Sequence, residues 1–187
     1  MVSDEEFFNK VVTHLIDEVE KGYVNKKSDR GGMTNWGITY KTYAAYCHRD
    51  PKTITEDEMK KMPRSVAVAI YKDMFWDVIR IDDMPLEVRH VAFDMCVNHG
   101  PGNAVKLLQR ACMVLAYKVT ADGKIGPATL SALHSAVIKF GDKELMHAIV
   151  DQRAAFYEAI IKNDPVQKAN RNGWLARNDW FLTHSLI

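Results

Sequence analysis

The sequence contains few cysteines and no long apolar run. Its 187 residues include three widely spaced cysteines, Cys47, Cys96 and Cys112. Such an odd, scattered set provides neither a disulfide framework nor a paired-cysteine zinc motif, so we expect reduced and mostly buried thiols. No stretch reaches the roughly 20 apolar residues of a membrane span, and we therefore expect no stable membrane insertion.

The charges are almost balanced. Lys and Arg together number 25 against 24 Asp and Glu, which gives a formal net charge of +1. This balance argues against a protein that acts mainly by coating nucleic acid or anionic membrane, although a local basic groove stays open. The start Met1–Glu6 is acidic and no long apolar run follows it, so we expect no signal peptide and synthesis in the cytoplasm.

The hydrophobic pattern is helical along most of the chain. An amphipathic helix is predicted from about Asp4 to Glu20, with Ser3 and Glu6 as a capping box and Gly22 at its end. Turn residues dominate Lys21–Thr39, which predicts a small, irregular β-hairpin or a long ordered loop. Further helices are predicted over about 39–48, 55–62, 63–75, 85–98, 103–115, 127–138, 143–162 and 166–170. The sequence therefore predicts a mainly α fold with one small β-hairpin after the first helix.

Glu20 is the first candidate for chemistry. On a helix it would follow Ile16 by four residues and Val12 by eight, in line with the apolar seam at the C-terminal end. Partial burial and the negative end of the helix dipole would both raise its pKa. A carboxylic acid that stays protonated near neutral pH is the general acid that glycosidic cleavage requires. The alternative is a surface glutamate paired with Lys21 or Arg30.

Asp29 and Thr34 follow Glu20 by nine and fourteen positions. If the hairpin folds back over the helix end, all three side chains converge on one cleft. Asp29 could then stabilise an oxocarbenium-like transition state or act as a base, and Thr34 could hold a water molecule. The alternatives are an Asx-turn role for Asp29 and a packing role for Thr34 in the hairpin.

The run from Glu20 to Thr39 resembles the N-terminal signature of the phage-type N-acetylmuramidases of glycoside hydrolase family 108. The matching positions are Glu20, Gly22-Tyr23, Asn25, Asp29, Gly31-Gly32, Thr34-Asn35 and Gly37-Ile38-Thr39. The run departs from the signature at Lys21 and at Lys26-Lys27. Further along, Phe75-Trp76, Asn98-His99-Gly100 and Asp122–Thr129 follow the order seen in such enzymes, and the second half resembles a predicted peptidoglycan-binding domain.

This resemblance implies a lysozyme-like α+β fold with a catalytic part over 1–95 and a helical peptidoglycan-binding part over 96–187, packed as one compact body. It places the catalytic glutamate on Glu20. It also implies an endolysin, active as a monomer and without a cofactor, that binds peptidoglycan glycan strands and cleaves the β-1,4 bond between N-acetylmuramic acid and N-acetylglucosamine. Such an enzyme accumulates in the host cytoplasm and acts in the periplasm after release through a separate membrane pore.

The expected substrate-binding residues are aromatic or polar. They are Asn35, Trp36, Tyr40, Tyr43, Trp76, Asp94, Asn98, His99 and Gln109. The aromatic rings could stack on sugars, and core or hairpin packing is the alternative. Asp94 and Asn98, four residues apart, could bind sugar or support Glu20, or could belong to a helix C-cap network ending at Gly100. For His99 and Gln109 the alternatives are packing and loop support.

No metal site is predicted. Asp122-Gly123 begins like a calcium loop but lacks the alternating oxygen ligands and the glutamate at the twelfth position, and the sequence has no H-E-x-x-H motif. Two other functions stay open: a non-catalytic wall-binding or secretion-accessory protein of the same fold, and a glycosidase that acts on chitin-like polymers. Near the C-terminus, Trp174, Trp180 and Phe181 are expected to fix their segment to the body of the protein.

Overall fold

The computed structural model describes residues 3–19, 22–25 and 32–184. Its first helix, α1, spans Asp4–His14 and begins with the predicted capping box. The Ser3 hydroxyl accepts a hydrogen bond from the Glu6 amide at 3.2 Å, and the Glu6 carboxylate accepts one from the Ser3 amide at 2.9 Å. The helix buries one apolar face, formed by Phe7, Phe8, Val11 and Val12.

The chain continues from α1 as a π-helical turn over Leu15–Val19. A π-helix forms i→i+5 hydrogen bonds and therefore changes the angle between successive side chains. The predicted α-helix to about Glu20 is therefore α-helical only as far as His14, and Glu20 itself lies outside the described residues. Leu15 and Ile16 are buried.

The small sheet has three antiparallel strands in the order β1-β2-β3, one more than the predicted hairpin requires. They are β1 Tyr23–Val24, β2 Thr34–Asn35 and β3 Ile38–Thr39. Tyr23 pairs with Asn35 across the first ladder, and Asn35 pairs with Ile38 across the second. Strand β2 is therefore the central strand and is hydrogen-bonded to a neighbouring strand along each edge.

A two-residue turn, Trp36-Gly37, joins β2 to β3. Both residues have positive φ, 52° and 76°. This is the backbone of a type I′ turn, whose twist matches that of the strands it connects. Glycine adopts this conformation freely, whereas a tryptophan there is strained and must be held by its surroundings.

Contacts divide the chain into two units, Met1–Val78 and Ile79–Ile187. After the sheet, the helical elements of unit 1 are α2 Tyr40–Tyr46, α3 Glu56–Lys61 and α4 Arg64–Tyr71, with a 3₁₀ turn at Pro51–Thr53 and a π-helical turn at Lys72–Trp76 that extends α4. Helix α3 begins with a capping box: the Thr55 hydroxyl accepts from the Glu58 amide at 3.2 Å, and the Glu58 carboxylate accepts from the Thr55 amide at 3.0 Å.

Unit 2 consists of helices around the long helix α8. Its helices are α5 Leu86–His99, α6 Pro101–Val114, α7 Pro127–Phe140, α8 Asp142–Asn163 and α9 Arg171–Trp180, with 3₁₀ turns at Ile81–Asp83 and Pro165–Asn170. Helix α8 packs against α6, α7 and α9. Helix α6 starts at Pro101, two residues before the predicted start, and α9 was not predicted.

The C-terminal aromatic residues anchor α9 as expected. The Trp174 ring stacks on Tyr157 with centroids 5.0 Å apart, and Phe181 is buried. Trp180 packs edge-on against His90 at 5.4 Å. These contacts connect α9 to α8 and α5.

The prediction of a mainly α, lysozyme-like α+β fold with a small β element after the first helix is confirmed. No helix within the described ranges is both long and apolar enough to cross a membrane. The three cysteines are free, and Cys96 and Cys112 are buried. The functional division into 1–95 and 96–187, packed as one body, stays a prediction; its boundary falls inside α5.

Candidate functional site

Two of the three predicted catalytic residues, Glu20 and Asp29, lie outside the described residues. The structure describes the segments beside them. The π-helical turn ends at Val19, one residue before Glu20, and Gly22 follows with φ of 69°. Gly32, with φ of 68°, stands where the chain enters β2. Both glycines adopt the left-handed conformation, in which a side chain is strained.

Thr34 and Asn35 form β2 and differ in environment. Thr34 is half-buried, and its hydroxyl donates to the Gly32 carbonyl at 3.4 Å. Asn35 is buried, and its Nδ2 donates to the Met59 carbonyl at 2.7 Å. The amide of Asn35 thus joins the sheet to the end of α3, which is a structural use of the group predicted to bind sugar.

Trp36 is held in its strained conformation by two hydrogen bonds. Its Nε1 donates to the Met62 carbonyl at 3.0 Å, and its own carbonyl accepts from the Tyr71 hydroxyl at 3.0 Å. The indole is half-buried, so part of it stays accessible. Unusual backbone conformations persist where neighbours fix them, and they are frequent at functional sites. The role of Trp36 as a stacking surface for sugars stays a prediction.

Tyr40 and Tyr43 are half-buried on α2. The Tyr40 amide donates to the Met33 carbonyl at 2.8 Å, and its ring lies so close to Gly32 that a Cβ there would stand 2.9 Å from Cε1. The Tyr40 ring therefore covers the chain just before β2. Burial raises the pKa of Tyr43, and the nearby Cys47 thiol acts in the same direction.

Trp76 is a core residue, and its predicted role in sugar binding is wrong. Its side chain is 0% exposed. The ring packs against Phe7 and Phe8 of α1, with centroids 6.2 and 5.1 Å away. A ring without an accessible face cannot stack on a sugar.

Asp94, on α5, belongs to a buried ion-pair cluster. Its Oδ1 accepts hydrogen bonds from Arg177 Nε at 2.9 Å and Nη2 at 2.6 Å, and its Oδ2 lies 2.5 Å from Arg153 Nη2. Burial by itself would raise the pKa of Asp94, but the two guanidinium groups outweigh it and hold the pKa below its usual value. The carboxylate is thus ionised and committed to two arginines.

Asn98 and His99 lie at the end of α5, beside the same cluster. Asn98 Nδ2 donates to the Asp94 carbonyl at 2.7 Å, one helical turn back. His99 Nε2 accepts from Arg153 Nε at 3.1 Å. Burial lowers the pKa of His99 to about 4, and the charge of Arg153 acts in the same direction. The imidazole is therefore neutral near pH 7 and serves as a hydrogen-bond acceptor.

Gln109 supports the loop between α6 and α7, which was the alternative to a role in sugar binding. Its Nε2 donates to Asp122 Oδ1 at 2.8 Å and to the Lys124 carbonyl at 3.1 Å, and its Oε1 accepts from the Gly123 amide at 2.9 Å. The side chain is buried. Because both ends of the amide are occupied within the protein, the structure provides no direct contact to a sugar.

The predicted site residues form two groups. One group lies in unit 1 and consists of the two residues of β2, Thr34 and Asn35, with Trp36 and Tyr40 beside them. The other lies in unit 2 and consists of Asp94, Asn98 and His99. Sequence reasoning missed Arg153. The missed signal was its place in an i, i+4 series of buried side chains on α8, namely Leu145, Ile149, Arg153 and Tyr157. Within the part of the chain that the structure describes, no three His, Cys, Asp or Glu side chains meet as metal ligands.

A helix that leads into a small antiparallel sheet, followed by helices, defines a protein of the lysozyme-like α+β class. Comparison with known families shows which family the chain resembles. Residues 13–100 match the Glycosyl hydrolase 108 family, and residues 103–179 match the Predicted Peptidoglycan domain. The resemblance to glycoside hydrolase family 108, with a peptidoglycan-binding second half, is therefore confirmed.

The chain is also similar to a solved structure, Brucella abortus SagA. The two are 28% identical in sequence and superpose with a TM-score of 0.73, over 98% of this chain and 99% of that one. Among curated proteins, none matches. The family region and the domain that follows it identify a glycoside hydrolase whose substrate is peptidoglycan.

Proposed function

We propose that the protein is an N-acetylmuramidase that hydrolyses the β-1,4 bond between N-acetylmuramic acid and N-acetylglucosamine. The observation that carries this proposal is the family match over 13–100, which contains Glu20 within the glycine-rich signature. The predicted peptidoglycan domain supports the choice of polymer. No comparable observation favours a chitin-like substrate or a purely non-catalytic protein.

In the proposed mechanism Glu20 protonates the glycosidic oxygen as the bond breaks. Water then attacks the sugar carbon, with Asp29 and Thr34 as the groups that stabilise the charge and position the water. The structure supports a fixed position for Thr34, because β2 is paired on both sides and Asn35 ties it to α3. Trp36 and Tyr40, around the same strand, would contact the sugar.

The biological setting belongs to the same proposal. By resemblance to phage-type endolysins, the protein acts as a monomer, accumulates in the host cytoplasm and reaches the periplasm through a separate membrane pore. There it degrades the cell wall and lyses the bacterium.

Hydrolysis of purified Gram-negative sacculi tests the proposed function. We expect Glu20→Gln to lose at least about 100-fold in rate, the usual scale for loss of a general acid. The matched control is Glu5→Gln, which removes an exposed carboxylate from the first turn of α1 and should keep the rate of the parent. Equal activity of Glu20→Gln and the parent would remove Glu20 from the mechanism.

The released fragments identify the bond. A muramidase leaves N-acetylmuramic acid at the reducing end, which borohydride reduction and mass spectrometry detect. Reducing N-acetylglucosamine or a 1,6-anhydro sugar would contradict the proposed reaction. The anomeric configuration of the product separates a retaining from an inverting mechanism.

A further inference from the structure

Large apolar side chains are exposed at the ends of α6 and α7. Met113 and Val114, at the end of α6, are 48% and 64% exposed, and Ile138 and Phe140, at the end of α7, are 86% and 39% exposed. Single exposed apolar residues are ordinary, but several that come together mark an interaction site.

The ends of the two helices lie side by side. Tyr117, just after α6, contacts Phe140 with ring centroids 6.4 Å apart and planes at 88°. Gln109, in the middle of α6, donates to the Thr129 hydroxyl near the start of α7 at 3.2 Å. The helices therefore run in the same direction and end at the same side of unit 2. We define the α6–α7 end surface as Val114, Tyr117, Ile138, Lys139 and Phe140.

This surface lies in a basic stretch of a nearly neutral chain. Residues 101–140 contain five basic residues and one acidic residue, a balance of +4, whereas the whole chain carries +1. The basic residues are Lys106, Arg110, Lys118, Lys124 and Lys139. The one acidic residue, Asp122, already accepts hydrogen bonds from Gln109 and from the Lys124 amide.

Cations and rings are presented together at this surface. Lys139 Nζ lies 4.9 Å from the centroid of the Phe140 ring. Arg110 and Lys118 are exposed, one turn before Val114 and directly after Tyr117. An aromatic and aliphatic surface with a positive rim complements a polymer of sugar rings that carries carboxylates.

We propose that the α6–α7 end surface, with Arg110 and Lys118 at its rim, is where the second half of the chain binds peptidoglycan. The apolar side chains contact the sugar rings, and the cations attract the carboxylates of the peptide stems. The whole surface falls within residues 103–179, which match the predicted peptidoglycan domain. The identity of the occupant rests on the proposed function.

Co-sedimentation with purified sacculi tests this surface, in full-length protein that carries Glu20→Gln so that the polymer stays intact. The surface variant is Arg110→Glu with Lys118→Glu and Lys139→Glu. The matched control changes net charge equally at exposed positions elsewhere, with Lys10→Glu, Lys52→Glu and Lys162→Glu. We expect the dissociation constant to rise at least about ten-fold in the surface variant and less than about two-fold in the control.

A second variant, Val114→Ser with Ile138→Ser, tests the apolar contacts without changing charge. Both side chains are largely exposed, so the melting temperature should stay that of the parent while binding weakens several-fold. Unchanged binding by both variants would overturn the inference, as would an equal loss in the matched control. Tighter binding to double-stranded DNA or to phosphatidylglycerol vesicles than to sacculi would also overturn it.

Hydrolysis of sacculi by the protein with Glu20 intact is measured separately. Absence of hydrolysis together with surface-dependent binding would refute the proposed function but leave the binding surface standing. Hydrolysis together with binding that the surface variants leave unchanged would refute the binding surface but leave the proposed function standing. The two proposals can therefore fail independently.

Discussion

His99 is kept neutral by its own burial and by the positive charge of Arg153 beside it. Its pKa is lowered to about 4 by burial and by Arg153, against an ordinary value of 6.5. As pH falls from about 6.5 towards 4, the unfolded chain binds a proton here that the folded protein does not. The free energy of unfolding should therefore decrease over this window, by roughly 3 kcal/mol from this residue. Denaturant unfolding at several pH values measures it.

His99→Gln separates this effect from the other titrating groups. Glutamine offers an oxygen acceptor to Arg153 Nε but does not titrate, so the variant should lose most of the slope between pH 6.5 and 4. His147→Gln, at an exposed position on α8, is the matched control and should keep the slope of the parent. A slope that is the same in all three proteins would show that His99 does not titrate in this way.

The same cluster shows what a residue pattern can predict. The four-residue spacing of Asp94 and Asn98 placed them on one helical face. The structure agrees, since the Asn98 side chain donates a hydrogen bond to the Asp94 carbonyl. The partner of Asp94 was not predictable, because Arg177 lies 83 positions further along the chain. Sequence spacing shows neighbours within a helix, whereas ion pairs between helices depend on the packing of the whole unit.

The connection between α6 and α7 depends on Gly123. This residue has φ of 79°, and a Cβ on it would stand 2.8 Å from the Gly102 carbonyl oxygen. Gly123→Ala should therefore destabilise the protein by about 2 kcal/mol or more, from left-handed strain and the backbone clash. Gly173, inside α9, has open space around its Cβ position.

Gly173→Ala should therefore stabilise the protein by up to about 1 kcal/mol, through helix propensity. Thermal unfolding of these two variants compares the same chemical change with opposite expected signs. A loss of stability in Gly173→Ala as large as that in Gly123→Ala would contradict this account of the turn.

Elements with strong local signals were predictable, and those held by distant contacts were not. Capping boxes and N-terminal prolines located the starts of α1, α3 and α7. Helix α9 carries only a weak apolar pattern and is fixed instead by contacts such as Asn178 Nδ2 to the Val150 carbonyl at 2.9 Å. The strained Trp36 likewise depends on α3 and α4, since Met62 and Tyr71 provide its hydrogen bonds.

At the scale of the molecule, the family regions and the structural units divide the chain at different points. The glycosyl hydrolase region ends at residue 100 and the peptidoglycan domain begins at 103, between α5 and α6. The units divide after Val78, so α5 packs with the helices of the peptidoglycan domain. Helix α5 packs with those helices because its Asp94 supplies the carboxylate for Arg153 and Arg177.

We therefore expect a chain of residues 79–187 to fold by itself and a chain of residues 101–187 to fail. Without α5, Arg153 and Arg177 lose their carboxylate partner, and a guanidinium that stays buried without one costs about 3–5 kcal/mol. That is a large part of the roughly 5–15 kcal/mol that stabilises a typical domain. Circular dichroism melts of both chains test this, and Asp94→Ala within 79–187 should show the same cost with α5 retained. A cooperative melt of 101–187 at the temperature of 79–187 would show that the peptidoglycan domain is stable without α5.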